Sequence, residues 1–136
     1  MYRTIIVPID VNNSERAASM LETAERLGGK SVKVTLINVI EAIPSYVSAQ
    51  MPEGFGERVK AEATQELGRI AKSTALETET EVRYGHASSE ILSAADEKSA
   101  DAIIIASHSP GLEDYLIGST ASRVVRHAKC SVVVIR

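Results

Sequence analysis

The chain is poor in several features that mark particular classes of protein. It has one cysteine among 136 residues, so no disulfide can form within it. None of its apolar runs approaches the ~20 residues that a membrane-spanning helix needs. Positive charge is not in excess either, because 15 Lys and Arg residues stand against 18 Asp and Glu residues, for a net charge of −3. We therefore expect no disulfide framework, no membrane insertion and no nucleic-acid or anionic-membrane partner.

We also expect no secretion signal, because Met1 leads directly into a short apolar run at residues 5–9 without a long apolar region and cleavage site. We therefore expect a cytoplasmic protein. A chain of 136 residues can bury roughly two thirds of the surface that its unfolded form exposes. One domain spanning residues 1–136 is expected to fold around one core, without help from metals, and no repeat or linker divides it.

The last third of the chain carries the clearest structural pattern. Ala102–Ala106 and residues 132–135 are short runs rich in Ile and Val without polar alternation, which is typical of parallel strands buried on both faces. Between them, apolar residues recur at helical spacing and predict a helix over Ser119–His127. The three elements form a β-α-β unit. Cys130, just before the last strand, is predicted to be a small buried apolar residue and not a redox sensor.

The rest of the chain alternates in the same way. Residues 3–9, 32–40 and 79–84 are predicted strands, and the last of them is polar enough to suit a sheet edge. Residues 41–56 contain two prolines and two glycines without a clear period, which predicts a long mobile loop. Three further helices are predicted, which brings the total to five strands and four helices. Their apolar faces are formed by Ala17, Met20, Leu21, Ala24 and Leu27; by Val59, Ala63, Leu67, Ile70 and Ala71; and by Ile91, Leu92, Ala94 and Ala95.

Strict alternation predicts an α/β fold, an open doubly wound five-stranded parallel sheet with helices on both faces. Right-handed crossovers bring the carboxyl ends of the strands to one rim. Such sheets bind ligands where the winding reverses. If the first strand is central and lies next to the fourth, this crevice falls between Asp10 and Ala106.

Two segments near that crevice predict anion binding. The strand Ala102–Ala106 leads into Ser107-His108-Ser109-Pro110-Gly111, and the next helix opens at Gly118-Ser119-Thr120. Small and hydroxyl residues there leave backbone N–H groups accessible and can cap the helix. His108 is interpreted as a hydrogen-bond donor in a loop, because no Cys or Asp-Glu cluster stands near it at nucleophile or metal spacing.

Asp10 follows the first strand and has two open interpretations. It can simply cap the helix that follows, because Asp is favoured in such turns. Asn12, Asn13 and Ser14 are further candidate cap residues of that helix. Alternatively, its carboxylate accepts hydrogen bonds from a ribose hydroxyl or an adenine amino group.

Three segments together resemble the universal stress protein family over essentially the whole chain: RTIIVPIDVNNSERAASMLETAERL, YGHASSEILSAADEKSADAIIIAS and YLIGSTASRVVRHAKCSVVVIR. The resemblance implies the sheet order 3-2-1-4-5, often a dimer and, in many members, a site for ATP or AMP. It also implies the parts of that site. The adenine would lie against Pro8, Ile9, Asp10 and Val39, and the phosphates would lie against Ala106, Ser107, His108, Gly111, Gly118, Ser119 and Thr120.

The phosphate loop departs from the family pattern, which is Gly-x-x-Gly, nine residues, and then Gly-Ser or Gly-Thr. Ala106 and Ser109 stand in place of the glycines, only eight residues separate Ser109 from Gly118, and the usual basic residue is absent. A side chain keeps phosphate farther away than glycine does, Pro110 offers no N–H, and the carboxylates that follow repel a triphosphate. The loop is similar to that of a proline-bearing subgroup of bacterial stress proteins.

These observations predict a small cytoplasmic universal stress protein that binds ATP or AMP for sensing or regulation, with Mg²⁺ able to accompany ATP. Walker A and GxGxxG patterns are absent, and no residue is convincing as a catalytic base. Two alternatives stay open. One is a dimeric interaction module that binds no nucleotide, and the other is a slow ATPase or autophosphorylating protein that uses Asp10 and Mg²⁺. The apolar last strand would leave an open edge, which predicts a homodimer through residues 131–136 and leaves further assembly open.

Overall fold

A computed structural model of the chain describes residues 1–107 and 117–136. Its strands form one parallel sheet in the order β3-β2-β1-β4-β5, with helices packed on both faces. The predicted fold class and strand order are therefore confirmed. In chain order the elements are β1 Thr4–Pro8, α1 Ala17–Gly28, β2 Lys33–Ile40, α2 Ser45–Ser48, α3 Phe55–Lys72, β3 Glu77–Tyr84, α4 Ala87–Glu97, β4 Ala102–Ala106, α5 Ser119–His127 and β5 Ser131–Ile135.

The central strands carry the core because they are covered on both faces. Ile5, Ile6 and Val7 of β1 are fully buried, as are Ile103 and Ile104 of β4. Full burial of such a side chain stabilises the fold by about 1.5–3 kcal/mol. The apolar runs without polar alternation thus report burial on two sides, as the sequence predicts for β4.

Strand β5 departs from that prediction. Residues 132–135 are only half-buried, although the sequence predicts burial on both faces. The reason is their place at the end of the sheet, where β4 is the one neighbouring strand within the described residues. Strand β3 occupies the opposite edge, as its polar sequence predicts.

The helices divide the core into two layers. Leu67 and Met20 from α3 and α1 pack on one face, and Ile91 and Val124 from α4 and α5 pack on the other. Apolar residues spaced at three and four positions produce these faces, because a helix repeats every 3.6 residues. None of the helices in the described ranges is long and apolar enough to cross a membrane.

The segment predicted to be a long loop, residues 41–56, contains helical structure. The carbonyl oxygen of Pro44 accepts hydrogen bonds from the N–H groups of Val47 and Ser48, which close the single turn of α2. Helix α3 already begins at Phe55. The predictions of an irregular loop and of four helices are wrong for this reason. Both helical stretches present exposed residues, so their sequence shows no apolar period that would reveal them.

Candidate functional site

A cavity of about 370 Å³ lies at the carboxyl ends of β1, β2 and β4. It occupies the position between the two central strands where the direction of winding reverses, as the fold class predicts. Ser107 is buried close to it without being among its lining residues, and the predicted residues His108 and Gly111 lie outside the described part of the chain. The predicted residues that do line the cavity are Pro8, Ile9, Asp10, Val39, Ala106, Gly118, Ser119 and Thr120.

Sequence reasoning missed several polar residues of the cavity. Its described lining also includes Asn13, Ser14, Glu15, Arg16, Asn38 and Glu41. Most of these residues follow Asp10 closely in the sequence. Because the loop after a central strand lies at the predicted crevice, the sequence could have indicated them. Asn38 had a different signal, because it is a polar residue inside the apolar run Leu36 to Val39 of β2.

Ile9, the residue after the end of β1, is hydrogen-bonded to β2. The N–H of Ile9 donates to the carbonyl oxygen of Ile37 at 2.8 Å, and Nδ2 of Asn38 donates to the carbonyl oxygen of Ile9 at 2.8 Å. Asn38 is buried, so its amide supplies a partner that water cannot supply there. This arrangement fixes the chain immediately before Asp10.

Asp10 organises the turn that follows β1. Its Oδ1 accepts the N–H of Asn12 at 3.0 Å, and its Oδ2 accepts Nδ2 of Asn13 at 3.2 Å. The simpler interpretation, that Asp10 caps the helix that follows, is wrong, because α1 begins at Ala17 without a side-chain cap and Asp10 holds the turn before it instead. A carboxylate has about four acceptor positions, so these two bonds leave Asp10, which lines the cavity, able to accept further hydrogen bonds.

The prediction that Asn12, Asn13 or Ser14 caps the first helix is wrong. Helix α1 begins at Ala17 after Arg16 and has no side-chain cap. The candidate caps are engaged elsewhere, because the Asn13 side chain donates to Asp10 and Oγ of Ser14 donates to Oε2 of Glu66 at 2.5 Å. Ser14 thereby ties the loop after β1 to α3.

The N-terminus of α5 opens onto the cavity. Gly118 precedes the helix with φ −62° and ψ 158°, and no side chain in the described residues caps it, so the predicted hydroxyl cap is not found. The first N–H groups of a helix have no partner inside the helix, and the helix dipole makes this end partly positive. Because Gly118, Ser119 and Thr120 line the cavity, the helix directs anion-binding potential into it.

Arg16 lines the cavity and forms hydrogen bonds at the ends of β4 and β5. Its Nη1 donates to the carbonyl oxygen of Ser107 and, at 3.3 Å, to that of Ile135. The N–H of Ser107 also donates to Ile135 at 2.8 Å, and Oγ of Ser107 lies 3.4 Å from the N–H of Gly118. Ser107 thus connects the guanidinium on one side of β4 with the start of α5.

The charged groups of the cavity are mixed in sign. Asp10, Glu15 and Glu41 bring carboxylates, and Arg16 brings a guanidinium. Among the residues that the structure describes, no three His, Cys, Asp or Glu side chains lie close enough together to hold a metal ion. The lining offers apolar strand ends for a flat ring, oxygen acceptors for hydroxyl groups and N–H donors for an anion.

Cys130 is not among the lining residues of this cavity and is half-buried, where the sequence predicted a small buried apolar residue. Burial raises the pKa of the Cys130 thiol and so disfavours the reactive thiolate. The environment supports a structural role.

The fold and the cavity together define an open α/β domain with a ligand-sized space at the reversal of winding. The family model described as the universal stress protein family matches residues 1–136, and the chain belongs to that family. The resemblance inferred from the sequence is confirmed. Universal stress protein G of Escherichia coli O157:H7 is 31% identical to the chain over an alignment of 142 positions that covers 100% of both proteins.

Solved structures give the same result for the fold. Hypothetical protein MJ0577 superposes with a TM-score of 0.81 at 24% identity, covering 99% of this chain and 96% of that one. Universal stress protein UspA from Lactobacillus plantarum superposes with a TM-score of 0.71 at 26% identity, covering 99% and 98%.

Three further neighbours were solved with nucleotides. The Archaeoglobus fulgidus protein with dAMP has a TM-score of 0.67 and 24% identity, and the match covers 99% of this chain and 98% of that one. The Arabidopsis thaliana protein with AMP has a TM-score of 0.68 and 20% identity, covering 98% and 90%. A universal stress protein with cAMP has a TM-score of 0.68 and 18% identity, covering 99% and 97%. Their identities to this chain are low, so these likenesses bear on the fold.

Proposed function

We propose that the chain binds an adenine nucleotide, AMP or ATP, in the cavity and serves a sensing or regulatory role without rapid turnover. The observation that carries the proposal is the meeting of apolar strand ends, the Asp10 carboxylate and the N-terminus of α5 in one cavity. The dAMP, AMP and cAMP complexes of structural neighbours support the choice of ligand.

The chemistry of the lining suggests how the ligand lies. Pro8, Ile9 and Val39 offer apolar surface to the adenine, and Asp10 offers acceptors to a ribose hydroxyl. The phosphate points toward Gly118 and the first residues of α5, where backbone N–H groups and the dipole favour an anion. The cavity volume of about 370 Å³ falls within the usual range for small-ligand pockets.

Mg²⁺ is proposed only as a companion of ATP. Its preferred ligands are oxygen atoms, and carboxylates of Asp10, Glu15 and Glu41 line the cavity. They do not gather into a ligand cluster in the described residues. A Mg²⁺ ion would therefore be held mainly by the phosphates, and these residues would bind or orient its water ligands.

Isothermal titration calorimetry with AMP and ATP, each with and without Mg²⁺, tests the proposal. Asp10→Ala should weaken binding about ten- to a hundred-fold, the effect of losing a hydrogen bond to a charged group. Asp96→Ala removes an exposed carboxylate that is not part of the cavity lining and should leave binding unchanged. If the wild-type protein gives no saturable heat even with millimolar nucleotide, nucleotide binding is wrong and the dimeric interaction module becomes the better reading.

The proposal also includes a cytoplasmic homodimer that pairs through β5. The supporting feature is the half-buried apolar strand at the edge of the sheet, since unpaired strand edges favour pairing with another chain. Two copies related by a two-fold axis would cover this strand and complete its burial.

A further inference from the structure

We propose that Arg16 binds the phosphate of the ligand and supplies the positive charge that the loop after β4 lacks. This inference rests on the proposed nucleotide site and deepens it. Sequence reasoning places the family's basic residue in the loop and finds none there. The tertiary structure brings a guanidinium to the same end of β4 from the start of α1 instead.

The partners of Arg16 leave its charge available. Two other arginines pair with carboxylates, Arg26 with Glu22 at 2.7 Å and Arg69 with Glu66 at 2.7 Å. The described partners of Arg16 are the carbonyl oxygens of Ser107 and Ile135. Carbonyl groups accept hydrogen bonds without cancelling the charge. Within the described residues, Arg16 is thus a partly buried cation whose hydrogen-bond partners are neutral.

The geometry of the guanidinium suits phosphate. Both described bonds use Nη1, and a guanidinium carries five N–H donors in a planar fork. Nε and Nη2 take no part in those two bonds. A fork with one nitrogen fixed can use the others for a paired contact with phosphate oxygens, which is the arrangement arginine favours.

A second positive element lies next to Arg16. The carbonyl oxygen of Ser107 accepts a hydrogen bond from Arg16, and Oγ of Ser107 lies 3.4 Å from the backbone nitrogen of Gly118 at the start of α5. Ser107 therefore contacts both the guanidinium of Arg16 and the residue before the helix N-terminus. A phosphate between them would be attracted from both sides, and this attraction opposes the repulsion from Asp10, Glu15 and Glu41 in the same lining. The inferred ligand class is accordingly phosphorylated, with adenosine alone bound more weakly.

Calorimetric titration without Mg²⁺ tests the inference, with adenosine, AMP, ATP and tripolyphosphate as the ligands. Arg16→Gln should weaken AMP, ATP and tripolyphosphate about ten-fold or more while leaving adenosine unchanged. Arg26→Gln is the matched control, because it removes the same charge from an exposed, Glu22-paired position on α1, the helix that follows Arg16. It should change none of the four affinities.

The outcomes separate a ligand contact from a structural role. If Arg16→Gln weakens adenosine as much as ATP, Arg16 only holds the ends of β4 and β5 together, and the inference is wrong. It is equally wrong if no affinity changes. Should Arg16→Gln fail to fold, Arg16→Lys keeps the charge without the fork, and it should retain ATP binding more weakly than the wild type.

The same titrations distinguish this inference from the proposed function. If wild-type protein binds adenosine and AMP equally, the cavity takes the nucleoside, but the role of Arg16 is refuted. If it binds tripolyphosphate in an Arg16-dependent way and neither adenosine nor AMP, the anion site stands and the nucleotide proposal falls.

Discussion

The side-chain amide of Asn38 donates a hydrogen bond of 2.8 Å to the carbonyl oxygen of Ile9, beyond the last residue of β1. The two residues are 8% and 5% exposed, so the bond lies in a region that water hardly reaches. It holds the chain before Asp10 against β2 and thereby sets one wall of the cavity.

Replacing Asn38 tests this role. Asn38→Leu leaves the buried carbonyl of Ile9 without a partner and should lower the free energy of unfolding by about 1–3 kcal/mol, measured by urea denaturation. Asn12→Ala is the control, because the exposed side chain of Asn12 makes no hydrogen bond within the described residues, and the change should stay within about 0.5 kcal/mol. Equal losses in the two variants would contradict the assignment.

Two glycines should respond in opposite ways to alanine. A Cβ on Gly28 would lie 2.4 Å from Cγ2 of Val32 and 2.6 Å from the carbonyl oxygen of Tyr2, so Gly28→Ala should destabilise the fold by about 1–3 kcal/mol. Gly68, inside α3, has open space at the same position. Gly68→Ala should therefore stabilise the protein by about 0.5–1 kcal/mol through helix propensity. Thermal unfolding of both variants measures the difference, and the same sign in both would refute the packing argument.

Acid should weaken the fold partly through Glu66. Hydrogen bonds from Arg69 and then Ser14 lower the pKa of the Glu66 carboxyl from 4.5 to about 2. Because the folded pKa is depressed, the stabilisation is present above about pH 4.5 and is lost as the pH falls toward 2. Glu66→Gln should flatten the dependence of unfolding free energy on pH in that window.

The control for Glu66 is Glu22→Gln, which breaks an exposed pair with Arg26 on the helix surface. It should leave a steeper dependence on pH than Glu66→Gln does. Denaturant titrations at several pH values between 2 and 5 supply the comparison, and identical slopes in the wild type and Glu66→Gln would contradict the prediction.

The β5 dimer can be tested by blocking one edge of the strand. The N–H of Ser131 faces β4, where it donates to Asp101, so by alternation the N–H of Val133 faces β4 and that of Val134 faces outward. Val134→Pro should prevent pairing with a second copy and convert a dimer to a monomer in sedimentation velocity. Val133→Pro breaks the internal ladder and should lower stability as well. A wild-type monomer at micromolar concentration would refute the dimer.

Local patterns were enough for much of the architecture. The boundaries of Ala102–Ala106 and Ser119–His127 agree with the prediction residue for residue, because uniform apolar runs and helical spacing reflect burial directly. Eight predicted site residues line the cavity, since topology alone brings strand ends and a helix start to one rim. Exposed helical turns such as α2 were missed, because nothing in their composition depends on burial.

Only the tertiary structure revealed the contacts that join distant segments. Arg16 reaches carbonyl groups 91 and 119 residues away in the chain, and Ser14 reaches Glu66 across 52 residues. The sequence around Arg16 is typical of the polar start of a helix, and no nearby residue indicates that Arg16 contacts Ser107 and Ile135. Periodicity records which side of an element is covered, whereas the partner of a polar side chain depends on how the elements come together in space.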